Sequence, residues 1–264
     1  MGGKGAQAHP WLSVSKQAIH RLMKRADQIL VEKGHAASRT EAQSAIRAGL
    51  VKVDGEVLEK PSRNIPDIAI IEYKKPHPYV SRGGLKLAAA LDHFTLSPEG
   101  LICLDVGAST GGFTEVLLEN GAARIYAVDV GHGQMHPRLQ RDPRVVRRDG
   151  INARDLSVTH VPEAPQVVVA DVSFIGLKLA LPPALDMAAP GAWAVALVKP
   201  QFEVGRLWVG KGGVVRDAEQ QAEAVADIKA FIAGQPRWSV IGHIESPIQG
   251  GDGNREFLIA AQKA

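Results

Sequence analysis

The chain of 264 residues has a single cysteine, few aromatic side chains and no long apolar run. One cysteine excludes an intrachain disulfide, and Cys103 lies in an apolar segment, where a thiol is more often part of the core than a nucleophile. Because no run of about 18 apolar residues occurs, we expect no membrane-spanning helix. The first residues also lack the apolar stretch of a signal peptide. These absences predict a soluble cytoplasmic protein without membrane contact.

Positive charge is concentrated near the start of the chain. Residues 1–75 contain 13 lysines and arginines against eight aspartates and glutamates, whereas the remainder contains 18 against 20. This asymmetry favours a polyanionic partner for the first part of the chain. We divide the chain into a flexible tail at residues 1–20 without an assigned role, a small domain at 21–73, a linker at 74–82 and a large domain at 83–264.

The pattern over residues 21–73 predicts two short helices followed by strands. Residues 25–32 have helical spacing, and Ser38 and Glu41 form a capping box before a second helix that ends at Gly49. Strand-like alternation follows, with Asp54-Gly55 as a hairpin turn and residues 68–72 as a further strand. The order of these elements indicates a small α+β domain.

This segment, RADQILVEKGHAASRTEAQSAIRAGLVKVDGEVLEKPSRNI, is similar to the alpha-L RNA-binding motif of the ribosomal-protein type. In that family a helix and the adjoining hairpin carry basic residues to RNA, and arginine suits this task because its guanidinium binds phosphate oxygens bidentately. The candidate RNA-binding residues that the resemblance implies are Arg25, Arg39, Arg47, Lys52 and Lys60, to which we add Arg82 at the end of the linker.

The large domain alternates short apolar runs with helical stretches, which predicts a doubly wound, mostly parallel α/β sheet. The last two strand-like runs, at 238–245 and 256–260, are separated by the turn IQGGDGN, which predicts a final antiparallel hairpin. A parallel sheet that ends in such a hairpin resembles the Rossmann-like seven-stranded sheet of methyltransferases. Two further helices are expected at 134–141 and 174–187, and Asp217 begins a long helix that Gly234 ends.

The segment LDVGASTGGFTEVLLENGAARIYAVDV contains the predicted cofactor site. Its glycines, Gly107, Gly111 and Gly112, do not follow the G-x-G-x-x-G spacing of a dinucleotide site, so an NAD oxidoreductase is disfavoured. The longer loop suits the methionine end of S-adenosylmethionine, which carries an ammonium and a carboxylate rather than phosphates. Asp129, at the end of the next strand, is placed to accept both ribose hydroxyls.

The predicted S-adenosylmethionine site extends over the ends of four strands. Asp105 precedes the loop and could face the cationic ligand, and either Asp149 or Asn152 could read the adenine edge. The full set of candidate cofactor-binding residues is Asp105, Gly107, Ala108, Ser109, Thr110, Gly111, Gly112, Phe113, Asp129, Asp149, Asn152 and Asp171.

The methyl acceptor is inferred by exclusion. The fourth strand leads into ADVSF, without the Asn/Asp-Pro-Pro-aromatic turn of enzymes that methylate amino groups. Cys103 is in the wrong place for C5 methylation of a base. A hydroxyl acceptor remains.

Four charged residues lie at separated places that a parallel sheet would bring together. They are Lys86, Asp171, Lys199 and Glu256, and their order resembles that of the FtsJ-type ribose 2′-O-methyltransferases. With SRGGLKL, DVGASTGGFTEVLL, ADVSFI, LVKPQFEVG, GGVVRD and GNREFL, the chain resembles the TlyA family of ribosomal RNA 2′-O-methyltransferases, also labelled hemolysin A. The family implies ribosomal RNA or a ribosomal subunit as partner and cytidine as target. One departure is HPYV at 77–80, where some members have an Arg-x-Trp-Val turn that couples the domains.

The predicted mechanism leaves one choice open. Lys199, held by Asp171 and Glu256, is either the general base for the ribose 2′-hydroxyl or a cation that stabilises the developing alkoxide. Lys86 would orient the 2′-oxygen or the adjacent phosphate, and Asp171 would also meet the ammonium of the methyl donor.

Other functions are weighed against this prediction. An inactive RNA-binding factor of ribosome assembly would be expected to lose some of the four charged residues. A membrane-lytic hemolysin would need an amphipathic insertion helix, which the sequence does not show. His132 and His136 have i,i+4 spacing without a nearby thiol or carboxylate partner, so we expect no metal. The target nucleotide, the subunit and the oligomeric state are not readable from the sequence.

Overall fold

The computed structural model describes residues 23–36, 38–74 and 77–264. The chain divides into two compact units, and the division falls between Pro78 and Tyr79. This point lies within the segment predicted as a linker. The predicted tail at residues 1–20 lies outside the described residues.

The small unit contains short strands and two helices. In chain order the elements are β1 (Met23–Arg25), α1 (Ala26–Glu32), α2 (Arg39–Arg47), β2 (Val51–Val53), β3 (Glu56–Val57), β4 (Asn64–Pro66) and β5 (Ile71–Tyr73). β1 pairs with β4, and β2 lies between β3 and β5, all antiparallel. The two helices and the sheets enclose a core that includes Ile29, Ile46 and Leu58.

Two predictions for the small unit need correction. The first helix begins at Ala26 rather than residue 25, because Arg25 is extended and pairs with Asn64. The strand expected at 68–72 is β5, Ile71–Tyr73, and β4 was not predicted. Strands of three residues are too short to show an alternating pattern. The predicted cap is present, since Ser38 Oγ accepts a hydrogen bond of 3.2 Å from the Glu41 backbone N–H.

The large unit is built on one sheet with helices on both faces. Its elements are α3 (Gly83–Phe94), β6 (Ile102–Val106), α4 (Gly112–Glu119), β7 (Arg124–Asp129), α5 (Pro137–Gln140), β8 (Val145–Asp149), β9 (Val167–Ala170), α6 (Leu177–Ala180), α7 (Pro182–Met187), β10 (Trp193–Val198), α8 (Pro200–Glu203), α9 (Ala218–Ala233), β11 (Trp238–Glu245) and β12 (Phe257–Lys263). The order of the seven strands is β11-β12-β10-β9-β6-β7-β8. β12 pairs antiparallel with both β10 and β11, and the other pairs of neighbouring strands in this sheet are parallel. The predicted seven-stranded methyltransferase sheet with its final hairpin is confirmed.

The helices differ from the prediction in two places. The helix expected at 174–187 is divided into α6 and α7, because Pro182 can begin a helix but not continue one. The helix expected at 134–141 is limited to the four residues of α5. Because α6 begins at Leu177, residues 171–176 form a loop after β9, next to the cleft described below.

The sheet is buried on both faces, and alternate residues of a strand belong to different cores. Leu104 and Val168 pack in the core on one face, whereas Cys103 and Val169 pack in the core on the other. Burial raises the pKa of Cys103 to about 12, so this thiol stays protonated, as expected for a core residue. Within the described ranges no helix is long and apolar enough to cross a membrane.

The N-terminus of α9 allows a test of the fold. Asp217 accepts hydrogen bonds from the backbone N–H groups of Glu219, at 2.8 Å, and Gln220, at 3.1 Å. We expect Asp217→Ala to lower the free energy of unfolding by about 1 kcal/mol, because both N–H groups lose their acceptor. Urea denaturation followed by circular dichroism measures this change. Glu223→Ala, in the exposed middle of the same helix, is the control and should change stability by less than about 0.5 kcal/mol; equal effects would contradict the capping role.

Candidate functional site

The glycine-rich loop between β6 and α4 forms the floor of a cleft at the carboxyl end of the sheet. Gly107 and Gly111 have φ values of 84° and 96°, which favour glycine. The Gly107 and Ala108 N–H groups donate to the Val128 carbonyl oxygen, which holds the loop against β7. A Cβ atom on Gly107 would lie 2.4 Å from the Asp171 carbonyl oxygen. The ends of β6 and β9 are therefore too close for any side chain at position 107.

Asp129 connects this loop to the end of β7. Its carboxylate accepts hydrogen bonds from the Ser109 N–H, at 2.8 Å, and the Gly131 N–H, at 2.6 Å. Ser109 Oγ in turn lies 3.1 Å from Gln134 Oε1. These bonds fix the carboxylate at the lining of the cleft.

The larger part of the cleft is a cavity of about 830 Å³. Gly107, Ser109, Asp129, Asn152 and Asp171 line it. The volume lies within the range of about 300–1,000 Å³ that is usual for small-molecule sites. A nucleoside-sized ligand therefore fits between the glycine loop and the segment after β8.

The structure separates the two candidates for the adenine edge. Asn152 lines the larger cavity, and its side chain accepts from the Arg154 N–H at 3.1 Å. Asp149 instead accepts from the Gly133 N–H at 2.8 Å and pairs with Arg147 at 3.3 Å. The arrangement favours Asn152, because Asp149 is used to hold the segment after β7.

Asp105 is placed differently from the expectation that it faces the ligand. Its side chain is fully buried and accepts a hydrogen bond of 2.6 Å from Thr114 Oγ1. Burial raises the pKa of Asp105 to about 7. Within the described part of the chain its second oxygen, Oδ1, has no hydrogen-bond partner. The side chain therefore holds α4 through Thr114 and lines neither the larger cavity nor the second one described below.

A second cavity, of about 320 Å³, adjoins the first. The two cavities share Gly107, Ser109, Asp171 and Ser173 as a common wall. The remaining candidate residues that line the second cavity are Lys86, Lys199, Arg82, Ala108, Thr110, Gly112 and Phe113. Gly111 lines neither cavity, and its Cβ position faces the Leu139 side chain.

Three of the four predicted catalytic residues, Lys86, Asp171 and Lys199, line this second cavity, and Glu256 contacts one of them. Lys199 Nζ lies 2.6 Å from Asp171 Oδ1 and 2.8 Å from Ser173 Oγ. Lys86 Nζ contacts Glu256 Oε2, and this ion pair is almost completely buried. The Lys199 ammonium therefore lies next to the wall shared with the larger cavity, because Asp171 and Ser173 belong to that wall.

The pairing of Glu256 differs from the prediction that it holds Lys199. Glu256 pairs with Lys86, on α3, because α3 packs against β12 and Glu256 lies just before that strand. Lys199 instead has Asp171 and Ser173 as partners. The sequence shows the four charges but cannot show which carboxylate faces which lysine.

Several side chains at the site were not predicted. Ser173 contacts Lys199, and the buried Glu115 of α4 contacts the Val80 N–H and Arg138. Phe174 is 92% exposed at the edge of the larger cavity, has a φ of 65° and lies 5.3 Å from the Phe202 ring. The sequence feature that could have identified Glu115 is its position as the one acidic residue in the segment FTEVLL.

The candidate RNA-binding residues of the small unit are all at least partly exposed. Arg25 and Arg39 both contact Asp27, a fully buried carboxylate that also accepts from Gln43. Hydrogen bonding by Arg25 holds the pKa of Asp27 well below its usual range. Asp27 therefore stays ionised and orients both guanidinium groups. The other candidates, Arg47, Lys52 and Lys60, are exposed. None of them forms an ion pair with a carboxylate among the described residues.

Comparison with known protein families gives one match for each unit. A profile of the family described as FtsJ-like methyltransferase matches residues 79–263, and one described as S4 domain matches residues 24–66. These ranges correspond to the large and small units of the structure.

Relatives match across both units. The chain is 44% identical to the Mycobacterium tuberculosis protein named 16S/23S rRNA (cytidine-2'-O)-methyltransferase TlyA, over 89% of this chain and 88% of that protein. It is also 44% identical to Bacillus subtilis YqxC, named as a candidate rRNA methyltransferase, over 89% and 84%. A solved structure from Streptococcus thermophilus, described as a candidate hemolysin, superimposes with a TM-score of 0.74 at 42% identity and covers 92% of this chain and 89% of that one.

The close approach of Gly107 to Asp171 leads to a prediction for ligand binding. In Gly107→Ala the new Cβ would meet a backbone oxygen, so the loop or the end of β9 must move. We expect S-adenosylmethionine to bind at least about tenfold more weakly, because both segments line the cleft. Isothermal titration calorimetry measures the affinity. Gly133→Ala is the matched control, since Gly133 also has a positive φ, 64°, but has open space around its Cβ position. Equal losses in the two variants would contradict the prediction.

The buried Asp105 leads to a prediction for stability against pH. The folded-state pKa of about 7 lies above the ordinary value of 3.8, so between these values the folded protein keeps a proton that the unfolded chain releases. The free energy of unfolding therefore decreases as the pH rises through this window. An asparagine at position 105 has no such proton to release. The free energy of unfolding of Asp105→Asn minus that of the native protein should therefore rise from pH 3.8 to about 7 and then level off. Urea denaturation at several pH values measures this difference in the free energy of unfolding. A difference that does not change with pH would contradict the prediction.

Proposed function

The chain belongs to the FtsJ-like methyltransferase family, and from this premise we propose that it transfers a methyl group from S-adenosylmethionine to a ribose 2′-hydroxyl of ribosomal RNA. The observation that carries the proposal is the placement of Asp171 in the wall shared by a nucleoside-sized cavity and a smaller one, with Lys86 and Lys199 in the lining of the smaller one. A donor in the first cavity and a ribose in the second would meet at this wall.

The residues of the larger cavity fit S-adenosylmethionine. Gly107, which allows the loop to pack against the end of β9, lines this cavity together with Asp129 and Asn152. We propose that Asp129 binds the ribose hydroxyls, that Asn152 reads the adenine edge and that Asp171 attracts the ammonium. The bound donor supplies an electrophilic methyl group on its sulfonium sulfur.

The charged residues of the smaller cavity would act on the acceptor. The Asp171 carboxylate lies 2.6 Å from Lys199 Nζ and forms an ion pair with it. We therefore propose that Lys199 stabilises negative charge on the 2′-oxygen, and that Asp171 accepts the hydroxyl proton as the methyl group is transferred. Lys86, fixed by Glu256, would hold the 2′-oxygen or the adjacent phosphate in line with the donor.

The small unit would supply affinity for the RNA. Its S4 domain carries Arg25 and Arg39 in fixed positions on Asp27 and the exposed Arg47, Lys52 and Lys60. Cations on a folded surface bind RNA phosphates and position the substrate without reading its sequence. We propose that residues 21–73 are this RNA-binding domain, that 74–82 are a linker and that 83–264 are the methyltransferase domain.

The target nucleotide follows from the relatives. The Mycobacterium tuberculosis relative is named as a cytidine-2'-O-methyltransferase of 16S and 23S rRNA, so we propose cytidine as the acceptor. The exposed Phe174 at the cleft edge could stack on the base of that nucleotide. Ribosomal RNA as substrate would place the reaction in the cytoplasm.

The proposed role of Lys199 is tested by methyl transfer to ribosomal subunits. With isotopically labelled S-adenosylmethionine, the native protein should place a methyl group that makes one nucleotide linkage resistant to alkaline cleavage. Lys199→Ala should reduce the rate at least about 100-fold, because the developing charge loses its nearest cation, while donor affinity stays within a few-fold. Mass mapping of RNA fragments and calorimetry measure the two effects.

A lysine that lines neither cavity provides the control for this experiment. Lys178→Ala removes an exposed lysine that pairs with Asp227, so it should leave the rate unchanged. If the native protein binds the donor but labels neither subunit, the chain acts on another RNA or is an inactive assembly factor. Full activity of Lys199→Ala would exclude the proposed role of that residue.

A further inference from the structure

The loop from Gly205 to Arg216, here called the 205–216 loop, exposes large apolar side chains. Leu207 is 98% exposed and Trp208 is 49% exposed, and both lie in a short 3₁₀ turn, Arg206–Trp208. The other large tryptophans of the described unit, Trp193 and Trp238, are buried in the core. Single exposed apolar residues are common on protein surfaces, so this observation needs the support of the loop's charge and position.

The charge of the 205–216 loop has one sign. The loop contains Arg206, Lys211 and Arg216 and no acidic residue. Among the residues that the structure describes, none of these three side chains forms an ion pair, in contrast to Arg144, Arg147 and Arg255. Free cations next to exposed apolar groups match a single-stranded nucleic acid, which offers phosphates and the faces of bases.

The loop is attached at both ends to the part of the sheet that forms the cleft. It follows α8, the helix that begins directly after Lys199. At its other end the Val215 N–H donates to Asn254 Oδ1 at 2.9 Å, and Asn254 Nδ2 donates to the Gly213 carbonyl at 2.8 Å. Asn254 is buried and lies two residues before Glu256. Two of the four charged residues proposed for catalysis, Lys199 and Glu256, thus lie only a few residues from the anchors of the loop.

The depth of the smaller cavity requires additional contacts to the RNA. The side chains of Lys199 and Lys86 are only 12% and 9% exposed, so a ribose must enter the cleft to reach them. The nucleotides on either side of that ribose then lie at the rim of the cleft, with bases that have lost a stacking neighbour. A surface with apolar side chains at the rim can replace the lost stacking.

We propose that the 205–216 loop is a second RNA-binding element, in which Leu207 and Trp208 pack against bases beside the methylated nucleotide and Arg206, Lys211 and Arg216 bind the flanking phosphates. This inference rests on the proposed function. It assigns to the methyltransferase unit a contact with RNA that is separate from the S4 domain. The loop would act on binding and positioning of the RNA and not on the methyl donor.

Photo-crosslinking tests the position of the loop on the RNA. Trp208→p-benzoylphenylalanine in the full chain, irradiated with ribosomal subunits and S-adenosylhomocysteine, should crosslink within a few nucleotides of the nucleotide that the native protein methylates. Ile241→p-benzoylphenylalanine is the control, because Ile241 is 48% exposed on β11, outside this loop. Crosslinks from position 208 only to ribosomal protein or to distant RNA would overturn the proposal.

Kinetics separate the apolar contacts from the charges. The double variant Leu207→Ser, Trp208→Ser should raise KM for the subunit about tenfold, because two packed side chains are lost, and leave donor affinity unchanged. The triple variant Arg206→Gln, Lys211→Gln, Arg216→Gln should reduce the slope of log affinity against log salt by about 2. Ile241→Ser should change neither quantity. Unchanged KM and salt slope in the loop variants, with methylation by the native protein intact, would overturn the inference alone, whereas absence of methylation by the native protein would overturn the proposed function.

Discussion

The parallel pairing of β6, β9 and β10 is the constraint on which the cleft depends. Val106 and Ala196 both pair with Ala170, so the three strands end at the same edge of the sheet. Gly107 and Asp171 follow directly, and their backbones approach so closely that only glycine fits at position 107. The same convergence brings Asp171 within 2.6 Å of Lys199. One register of backbone hydrogen bonds thus places both the proposed donor site and the proposed acceptor site around a single carboxylate.

Buried carboxylates organise cations in both units, by different means. Asp27 is fully buried and accepts from Arg25, Arg39 and Gln43, which leaves the guanidinium groups partly exposed and oriented. In the large unit Glu256 is buried together with its partner Lys86. A buried carboxylate without its cation would be an uncompensated charge, which is strongly unfavourable. Asp27 and Glu256 therefore each hold their cationic partners in place. The proposed RNA surface and the proposed catalytic centre both use this arrangement.

The predictions succeeded where a local signal was sufficient and failed where partners were distant. The glycine loop, the cap at Ser38, the start of α9 at Asp217 and the final hairpin each have a signature within a few residues, and the structure contains all of them. The burial of Asp105 depends on Thr114 and on strands to either side, which no short window of sequence contains. Glu256 and Lys86 are 170 residues apart, and their contact follows only from the packing of α3 on β12.

Periodicity and turn chemistry act over short ranges, so the sequence alone was sufficient to predict the seven strands of the large unit, the two-unit organisation, the glycine positions and the kinds of charged residue at the cleft. The structure was needed to show which carboxylate contacts which lysine, that Asn152 rather than Asp149 lines the cavity, and that Leu207 and Trp208 are exposed beside three cations without an ion pair to the described residues. The physical reason is that side-chain partners depend on which faces of distant strands and helices pack together, and one chain of residue types is compatible with several such pairings until the sheet forms.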